Sequence, residues 1–121
     1  MTSSEYLEQT SAAMGPGTYA GDCLKHARAI AALLRAEGKS PWMGRIRKVE
    51  GRFHHPLIPR RFSGPSIPAW TTHYVCCCDG LAYDPLLGRA EPLETYSQAV
   101  FGQEFEITPV DDPGTGPAPL S

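Results

Sequence analysis

The sequence lacks a long apolar run, and this absence argues against a membrane protein. Hydrophobic residues make up 41% of the 121 positions, but no stretch of them approaches the roughly 20 residues that a membrane-spanning helix needs. Residues 1–10 also lack the basic start and the apolar middle of a secretory signal peptide. We therefore expect no membrane partner and a cytoplasmic place of residence or action.

Cysteine is scarce, and its spacing is typical neither of a disulfide framework nor of a zinc site. Cys23 stands alone, and the other three cysteines follow one another at positions 76–78. His54 and His55 add no ligand pair with helical or knuckle spacing, and successive strand residues point to opposite faces. We expect reduced thiols and neither a metal ion nor a cofactor.

A strong charge of either sign is also missing. The formal net charge of -2 gives no general attraction to nucleic acid, so no nucleic-acid partner is expected. Six of the eleven basic residues nevertheless lie between Arg45 and Arg61, where Glu50 alone opposes them. This basic segment, residues 45–61, could attract an acidic protein surface, and the alternative is a solvated strand face followed by a loop.

The clearest helix of the sequence covers residues 22–37. Asp22 is a suitable N-cap, apolar residues recur behind it at helical spacing, and Gly38 is suited to end the helix. The recurring apolar residues are Leu24, Ala27, Ile30, Ala31 and Leu34. Cys23 therefore falls in the first turn of a helix.

Shorter elements are expected on both sides of this helix. Good helix formers over residues 4–14 predict a first helix that Ser4 would cap. Residues 42–49 have the alternation of a strand, with Trp42 and Ile46 on one face. Both elements are compatible with a helix packed against a sheet.

The second half of the chain contains one irregular stretch and two further elements. Four prolines in residues 51–69 exclude a helix or a central strand there. A helix is expected over residues 92–101, with Leu93, Tyr96 and Val100 on one face, and a strand over residues 104–109. These elements complete a single domain, residues 1–110, before a disordered tail rich in Pro and Gly, residues 111–121.

The dipeptide Asp79-Gly80 predicts a tight hairpin between strands at residues 71–78 and 81–86. This dipeptide is favoured in two-residue turns because both of its residues tolerate positive φ angles. A two-residue turn also fixes the pairing register of the two strands.

The register places a histidine and an aspartate side by side. It pairs Cys78 with Leu81 and, counting outward, Val75 with Asp84. His73 lies two residues from Val75, so His73 and Asp84 are diagonal neighbours on the same face. Their side chains can meet in a hydrogen bond.

Cys23, His73 and Asp84 are therefore the candidate catalytic residues. A thiol attacks as the thiolate, which a helix N-terminus stabilises. His73 would act as the base, and Asp84 would fix the tautomer of its imidazole. Gly21 and Asp22 are expected to contact the substrate, because glycine leaves the approach to the sulfur uncrowded.

Trp70 is the further candidate for substrate binding. It ends the Pro-rich stretch just before His73, and such loops commonly shape a groove. Plainer interpretations remain open: Trp70 and Cys23 could be core residues, His73 a half-buried strand histidine, and Asp84 the start of a turn.

Two further groups could replace members of this set. His26 lies one helical turn after Cys23 and is an alternative base. Cys77 shares the His73 face and is a second candidate thiol, whereas Cys76 and Cys78 point away from it and are expected to fill space in the sheet.

Two blocks of the sequence resemble papain-like and transglutaminase-like cysteine hydrolases. Residues 21–38, which begin Gly-Asp-Cys and contain Leu-Leu-Arg before Glu-Gly, resemble their nucleophile helix. Residues 79–85, with the sequence DGLAYDP, resemble the segment that carries their acid. Residues 92–102 also resemble the short helix of small bacterial papain-fold toxin domains, so the likeness spans roughly residues 21–101.

The resemblance implies roles for individual residues, with one departure from the pattern. It implies that Cys23 is the nucleophile, His73 the base and Asp84 the third member. Papain-type proteases have a glutamine six residues before the cysteine, where this chain has Gly17, and Gln9 is remote in sequence. The oxyanion hole would then need backbone donors such as the Cys23 N–H.

The resemblance also implies a fold and a function. The expected fold is α+β, with a papain-like or transglutaminase-like core in which the nucleophile helix packs on a small antiparallel sheet. The implied function is a cysteine protease acting on a protein, in a toxin-like effector that is secreted or delivered into a target cell and restrained by an immunity protein. Deamidation, acyl transfer and a non-catalytic protein-binding module of the same fold are the alternatives.

Overall fold

The computed structural model describes residues 1–14, 22–62 and 70–111. Within these ranges the helices are α1 (Ser3–Ala13), α2 (Cys23–Ala36) and α3 (Leu93–Phe101). The strands there are β1 (Trp42–Ile46), β2 (Val49–Glu50), β3 (Phe53–His54), β4 (His73–Cys78), β5 (Leu81–Asp84), β6 (Arg89–Pro92) and β7 (Ile107–Val110).

Five of these strands form one antiparallel sheet in the order β6-β5-β4-β1-β7. Strands β2 and β3 pair with each other as a short separate ribbon. Three helices accompany the sheet in the described part of the chain, so the α+β class expected from the sequence is confirmed. None of these helices combines the length and the apolar character that crossing a bilayer requires.

Helix α2 packs on one face of the sheet, as expected. The cluster on this face contains Leu7, Leu24, Ala27, Ile30, Ala31, Leu34, Met43, Cys76, Cys78 and Tyr83. Asp22 is the N-cap of α2, although its side chain makes no capping hydrogen bond. At the other end Gly38 has a φ of +82° and donates its N–H to the carbonyl of Arg35, which ends the helix.

The opposite face of the sheet carries the second core cluster. Its buried members are Cys23, Ile46, Leu57, Phe62, Val75, Cys77, Ala82, Leu86, Tyr96, Val100 and Phe101. Helix α3 supplies Tyr96, Val100 and Phe101, so α3 packs against this side. Cys23 belongs to this cluster although the apolar stripe of α2 packs on the other face, so the first residue of α2 joins the cluster to which α3 contributes.

The tight hairpin has the register that the sequence predicts. The observed pairs are Cys78 with Leu81, Cys77 with Ala82 and Cys76 with Tyr83. Asp79 and Gly80 have φ angles of +52° and +77°, as a two-residue turn with two positive φ angles requires. The two central strands of the site are therefore fixed relative to each other by local turn chemistry.

Helix α1 begins earlier than expected, because Ser4 is not its cap. The hydroxyl of Thr2 accepts a hydrogen bond of 3.1 Å from the Glu5 N–H, and the Glu5 carboxylate accepts one of 3.0 Å from the Thr2 N–H. This reciprocal capping box satisfies two backbone donors. Ser4 lies inside the first turn instead.

The strand predicted over residues 42–49 ends at Ile46. Ile46 pairs with His73 on one side and with Ile107 on the other, and each is the first residue of its strand. The ladder stops where both neighbouring strands begin. Val49 pairs with the ribbon strand β3 instead.

Two observed strands lie outside every predicted strand. Strand β3 lies in residues 51–69, whose prolines predicted irregular structure, and β6 follows the hairpin at the edge of the sheet, where Pro92 needs no ladder donor. The hairpin strand ends at Asp84, whose carbonyl accepts from the N–H groups of Leu87 and Gly88 at 3.0 and 3.3 Å. Residues 112–121 of the predicted tail lie outside the described residues.

Close packing at Gly44 gives a test of the sheet. A Cβ added there would lie 2.6 Å from Cγ2 of Ile107 and 3.2 Å from the sulfur of Cys77. We expect Gly44→Ala to lower the free energy of unfolding by about 1–3 kcal/mol in urea denaturation. Because Ile107→Ala removes the nearest atom, the double variant should lose less than the sum of the single losses. A Gly44→Ala protein as stable as the wild type would contradict this packing.

Candidate active site

His73 and Asp84 form a hydrogen-bonded pair in the interior. Nε2 of His73 lies 2.7 Å from Oδ2 of Asp84, and the two side chains are 0% and 1% exposed. Strand β4 begins at His73 and β5 ends at Asp84, so the hairpin places both on the face that the register predicted. Because Nε2 is engaged with the carboxylate, Nδ1 is the ring nitrogen that can serve a nucleophile.

Asp84 accepts further hydrogen bonds that hold its carboxylate in place. The backbone N–H of Leu86 donates to Oδ1 at 2.9 Å, and the buried hydroxyl of Tyr96 donates to Oδ2. Tyr96 was missed as a site residue. Its helical spacing predicts an inward-facing position, but the direction of its hydroxyl depends on how α3 packs against β5.

Two aromatic rings enclose the imidazole of His73. Trp70 stacks on it with ring centroids 5.4 Å apart and planes inclined by 8°, and Phe101 meets it edge-on at 5.7 Å. Trp70 is also fixed to Leu57 by a pair of backbone hydrogen bonds of 2.7 and 3.1 Å. The sequence indicated Trp70 but not Phe101, and binding of substrate by Trp70 stays a prediction.

Cys23 is the first residue of α2 and is 9% exposed. Unpaired N–H groups and the helix dipole favour the anionic thiolate at this position. Hydrogen bonding and charge from the imidazole of His73, and the backbone of Tyr74, act to lower the pKa of this thiol. Tyr74 follows His73 on β4, so one strand end supplies both interactions.

The pKa values of the three residues are shifted together. Burial raises the pKa of the Cys23 thiol, but His73 and the backbone of Tyr74 together bring it below the ordinary 9.0. Burial lowers the pKa of His73, but the negative charge of Asp84 and its hydrogen bond raise it to about 10. Burial likewise raises the pKa of Asp84, yet His73 brings it below its usual value. This arrangement favours a thiolate beside an imidazolium.

The pKa values of the other three thiols are shifted in the opposite direction. Burial raises the pKa of Cys76 and of Cys77 to about 12, and it also raises that of Cys78. Cys77 lies in the same core cluster as Val75, as the alternation of the strand predicts, and Cys76 and Cys78 pack against α2. A thiolate is therefore favoured at Cys23 and disfavoured at Cys77.

His26, the alternative base, is engaged elsewhere. Its Nδ1 lies 2.7 Å from the hydroxyl of Tyr6, and burial lowers its pKa below the usual 6.5. The imidazole that shifts the pKa of Cys23 is that of His73. The geometry thus favours His73 over His26 as the base.

Asp22 and Gly21 are the other residues predicted to contact the substrate. Asp22 is half-buried at the start of α2, and Gly21 lies outside the described residues.

His55 lies 3.2 Å from the carboxylate of Glu50. Among the residues that the structure describes, no three His, Cys, Asp or Glu side chains gather as a metal-binding group.

A cavity of about 380 Å³ lies between α1 and the start of α2. It is lined by Met1, Tyr6, Gln9, Thr10, Ala13, Met14, Asp22 and His26. Asp22, the residue before Cys23, lies on the cavity wall, whereas Cys23 itself does not line the cavity. Gln9, which is remote from Cys23 in sequence, shares this cavity with Asp22.

The fold and site define an α+β protein in which an imidazole is hydrogen-bonded to a carboxylate and lowers the pKa of a thiol at a helix N-terminus. No protein-family model, curated protein or solved structure matches the chain. The resemblance to papain-like and transglutaminase-like enzymes therefore stays a prediction from the residues of this sequence.

Thiol labelling tests the electrostatics of the site. At pH 6–7, about two units below the pKa of an ordinary thiol, we expect iodoacetamide to modify Cys23 at least about tenfold faster than Cys76, Cys77 or Cys78, because only its thiolate is stabilised. Mass spectrometry of the digested protein measures each site. The Cys23→Ser variant should lose the fast phase, and equal rates at all four thiols would contradict the shifts.

Tyr96→Phe tests the hydroxyl that supports Asp84. Removing this donor raises the pKa of Asp84, so the negative charge that stabilises the imidazolium of His73 is less favoured. The pH dependence of Cys23 alkylation therefore moves to higher pH. We expect a shift of about 0.5–1 pH unit. Tyr83→Phe removes a hydroxyl from the other core cluster and should leave the profile unchanged. Identical shifts in both variants would mean that Tyr96 acts only through stability.

Proposed function

We propose that the protein is a papain-like cysteine hydrolase that cleaves an amide bond in a protein substrate. The observation that carries this proposal is the buried contact of His73 with Asp84, beside a thiol at a helix N-terminus whose pKa is lowered by the same imidazole. Nucleophile, base and orienting acid are the parts that thiol catalysis needs.

The proposed catalytic cycle starts from the Cys23 thiolate and the His73 imidazolium. The Cys23 thiolate attacks the carbonyl carbon of the amide, a C–S bond forms and the carbonyl oxygen becomes an oxyanion. The His73 imidazolium gives its proton to the amine as the C–N bond breaks. Water then loses a proton to His73 and attacks the thioester, which releases the acid and restores the thiolate. Asp84 keeps the imidazole oriented throughout.

In this proposal a backbone donor holds the oxyanion. The N–H of Cys23 supplies it, because N–H groups in the first turn of a helix have no intrahelical acceptor.

The core arrangement also supports the proposed family. The nucleophile begins a helix that packs on an antiparallel sheet, the base begins a strand, and the acid ends the neighbouring strand. Deamidation and acyl transfer use the same groups and differ in which amide binds and which nucleophile resolves the thioester. A role as an effector delivered into a target cell remains part of the proposal and rests on the likeness to toxin domains.

A non-catalytic binding module is the second candidate, and one surface favours it. On the ribbon of β2 and β3, Val49 and Phe53 are 40% and 58% exposed, next to the exposed basic residues Arg47, Lys48 and Arg52. Apolar and basic side chains together suit an acidic protein partner, such as an immunity protein. This surface is compatible with catalysis at the separate thiol site.

Expression of matched variants in cells tests the enzymatic proposal. We expect wild type to slow growth and to generate new protein N-termini in the host proteome, and Cys23→Ala and His73→Ala to abolish both effects. Cys77→Ala is the matched control, because it removes a buried thiol that has no place in the mechanism. Mass spectrometry of labelled N-termini measures cleavage, and thermal unfolding confirms that each variant is folded.

The same comparison can overturn the proposal. Equal toxicity and equal cleavage in wild type and both site variants would remove the catalytic role of Cys23. Toxicity that survives Cys23→Ala but disappears when Arg47, Lys48 and Arg52 are replaced by serine would favour the binding module.

A further inference from the structure

The peptide group that joins Pro85 to Leu86 makes a hydrogen bond on each side. Its N–H, which belongs to Leu86, donates to Oδ1 of Asp84 at 2.9 Å. Its carbonyl, which belongs to Pro85, accepts from Nη1 of Arg61 at 3.2 Å. This peptide bond is trans, so the N–H and the carbonyl point in opposite directions within one plane. A single planar group therefore forms a hydrogen-bonded relay from the Arg61 guanidinium to the Asp84 carboxylate.

The Arg61 guanidinium is itself held by the end of α1. It donates to the hydroxyl of Ser11 at 2.7 Å and also to the backbone carbonyl of Ser11. The chain just before it is fixed as well, because the N–H of Arg60 donates to the carbonyl of Val100 on α3 at 2.7 Å. The guanidinium therefore approaches the peptide group from a defined direction.

Two effects on the Asp84 carboxylate follow from this contact. A cation beside a carbonyl oxygen polarises the whole amide and makes its N–H a stronger donor, and hydrogen bonds in series strengthen one another by roughly 10–30% each. The contact also resists rotation of the peptide plane, which would turn the Leu86 N–H away from Oδ1. Burial raises the pKa of Asp84, and this N–H is one of the groups, with His73 and Tyr96, that lower it.

Two neighbouring arginines have other partners. Arg89 is opposite Asp84 in the pairing of β5 with β6, but its Nη2 lies 3.0 Å from the carboxylate of Glu91 and its side chain is 65% exposed. Nη1 of Arg60 lies 3.4 Å from the carbonyl of Gln98 on α3. Neither contact involves the peptide group that holds Asp84, so these arginines are suitable for comparison.

We propose that Arg61 is a positioning residue of the site, which acts on Asp84 through the peptide group between Pro85 and Leu86. Its guanidinium holds the plane of this group and strengthens the hydrogen bond from the Leu86 N–H to the carboxylate. The inference rests on the proposed function for the catalytic role of Asp84, but the relay itself requires no catalysis. It assigns to Arg61 a role distinct from the attraction of an acidic partner by the basic segment.

Replacement of Arg61 by methionine tests the relay, with Arg60→Met as the matched control. Both variants lose one exposed charge and keep an unbranched stem, but the guanidinium that donates to the peptide group is lost only in Arg61→Met. In Arg61→Met the amide proton of Leu86 should move upfield in the NMR spectrum of the full-length protein, because its hydrogen bond is weaker. The pH profile of Cys23 alkylation should move up by about 0.3–0.5 pH unit, since a less stabilised carboxylate favours the His73 imidazolium less.

Arg61→Lys separates the charge from the geometry of the guanidinium. Lysine keeps the positive charge, but one ammonium cannot bridge Ser11 and the carbonyl of Pro85 as a planar fork does, so we expect both shifts at about half their size in Arg61→Met. Thermal unfolding measures the stability of each variant. If Arg61→Met does not fold, the comparison of Arg61→Lys with Arg60→Lys decides in its place.

The outcomes separate the relay from the proposed catalysis. Unchanged readouts in Arg61→Met, a change in one readout alone, or equal shifts in the Arg60 control would each overturn the positioning role. A loss of thermal stability without either shift would make Arg61 a structural residue only. If Cys23 of the wild type does not react, the hydrolase is removed and the Leu86 proton still decides the relay. A reactive Cys23 with an unshifted Leu86 proton in Arg61→Met would leave the hydrolase standing and overturn the relay.

Discussion

The buried contact between an imidazole and a carboxylate is the interaction on which the site depends. Neither His73 nor Asp84 is exposed to water, so either charge alone would be costly to bury. Their hydrogen bond, with the donors from Leu86 and Tyr96, compensates for that cost. Losing one partner of such a pair typically destabilises a protein by about 3–5 kcal/mol. The site is therefore also part of what holds β4, β5 and α3 together.

The four cysteines show how placement alone changes the pKa of a thiol. Cys23 lies at a helix N-terminus and beside a positive imidazole, and its pKa is lowered. Cys76 and Cys77 lie within a strand of the sheet, where burial raises the pKa of each to about 12. The same chemical group thus has a lowered pKa in one place and a raised pKa in another, where it fills space in the core. The number of cysteines in the sequence does not reveal which of them has a lowered pKa.

Local signals in the sequence were strong enough to predict the centre of the site. The Asp79-Gly80 turn determines a pairing register by itself, and the register alone places His73 and Asp84 on one face. Helical spacing behind Asp22 likewise places Cys23 in the first turn. Boundaries were less predictable: β1 ends at Ile46 because its neighbours begin there, which no property of residues 42–49 reveals.

By itself, then, the sequence determined the α+β class, the hairpin and the placement of His73 and Asp84 on one face, since these depend on turn chemistry and periodicity over a few residues. Only the tertiary structure decided that the hydroxyl of Tyr96 meets Asp84 and that Gln9 and Asp22 line one cavity. Those contacts join segments distant along the chain, and the packing angle of a helix is set by the combined shape of its neighbours rather than by any local pattern.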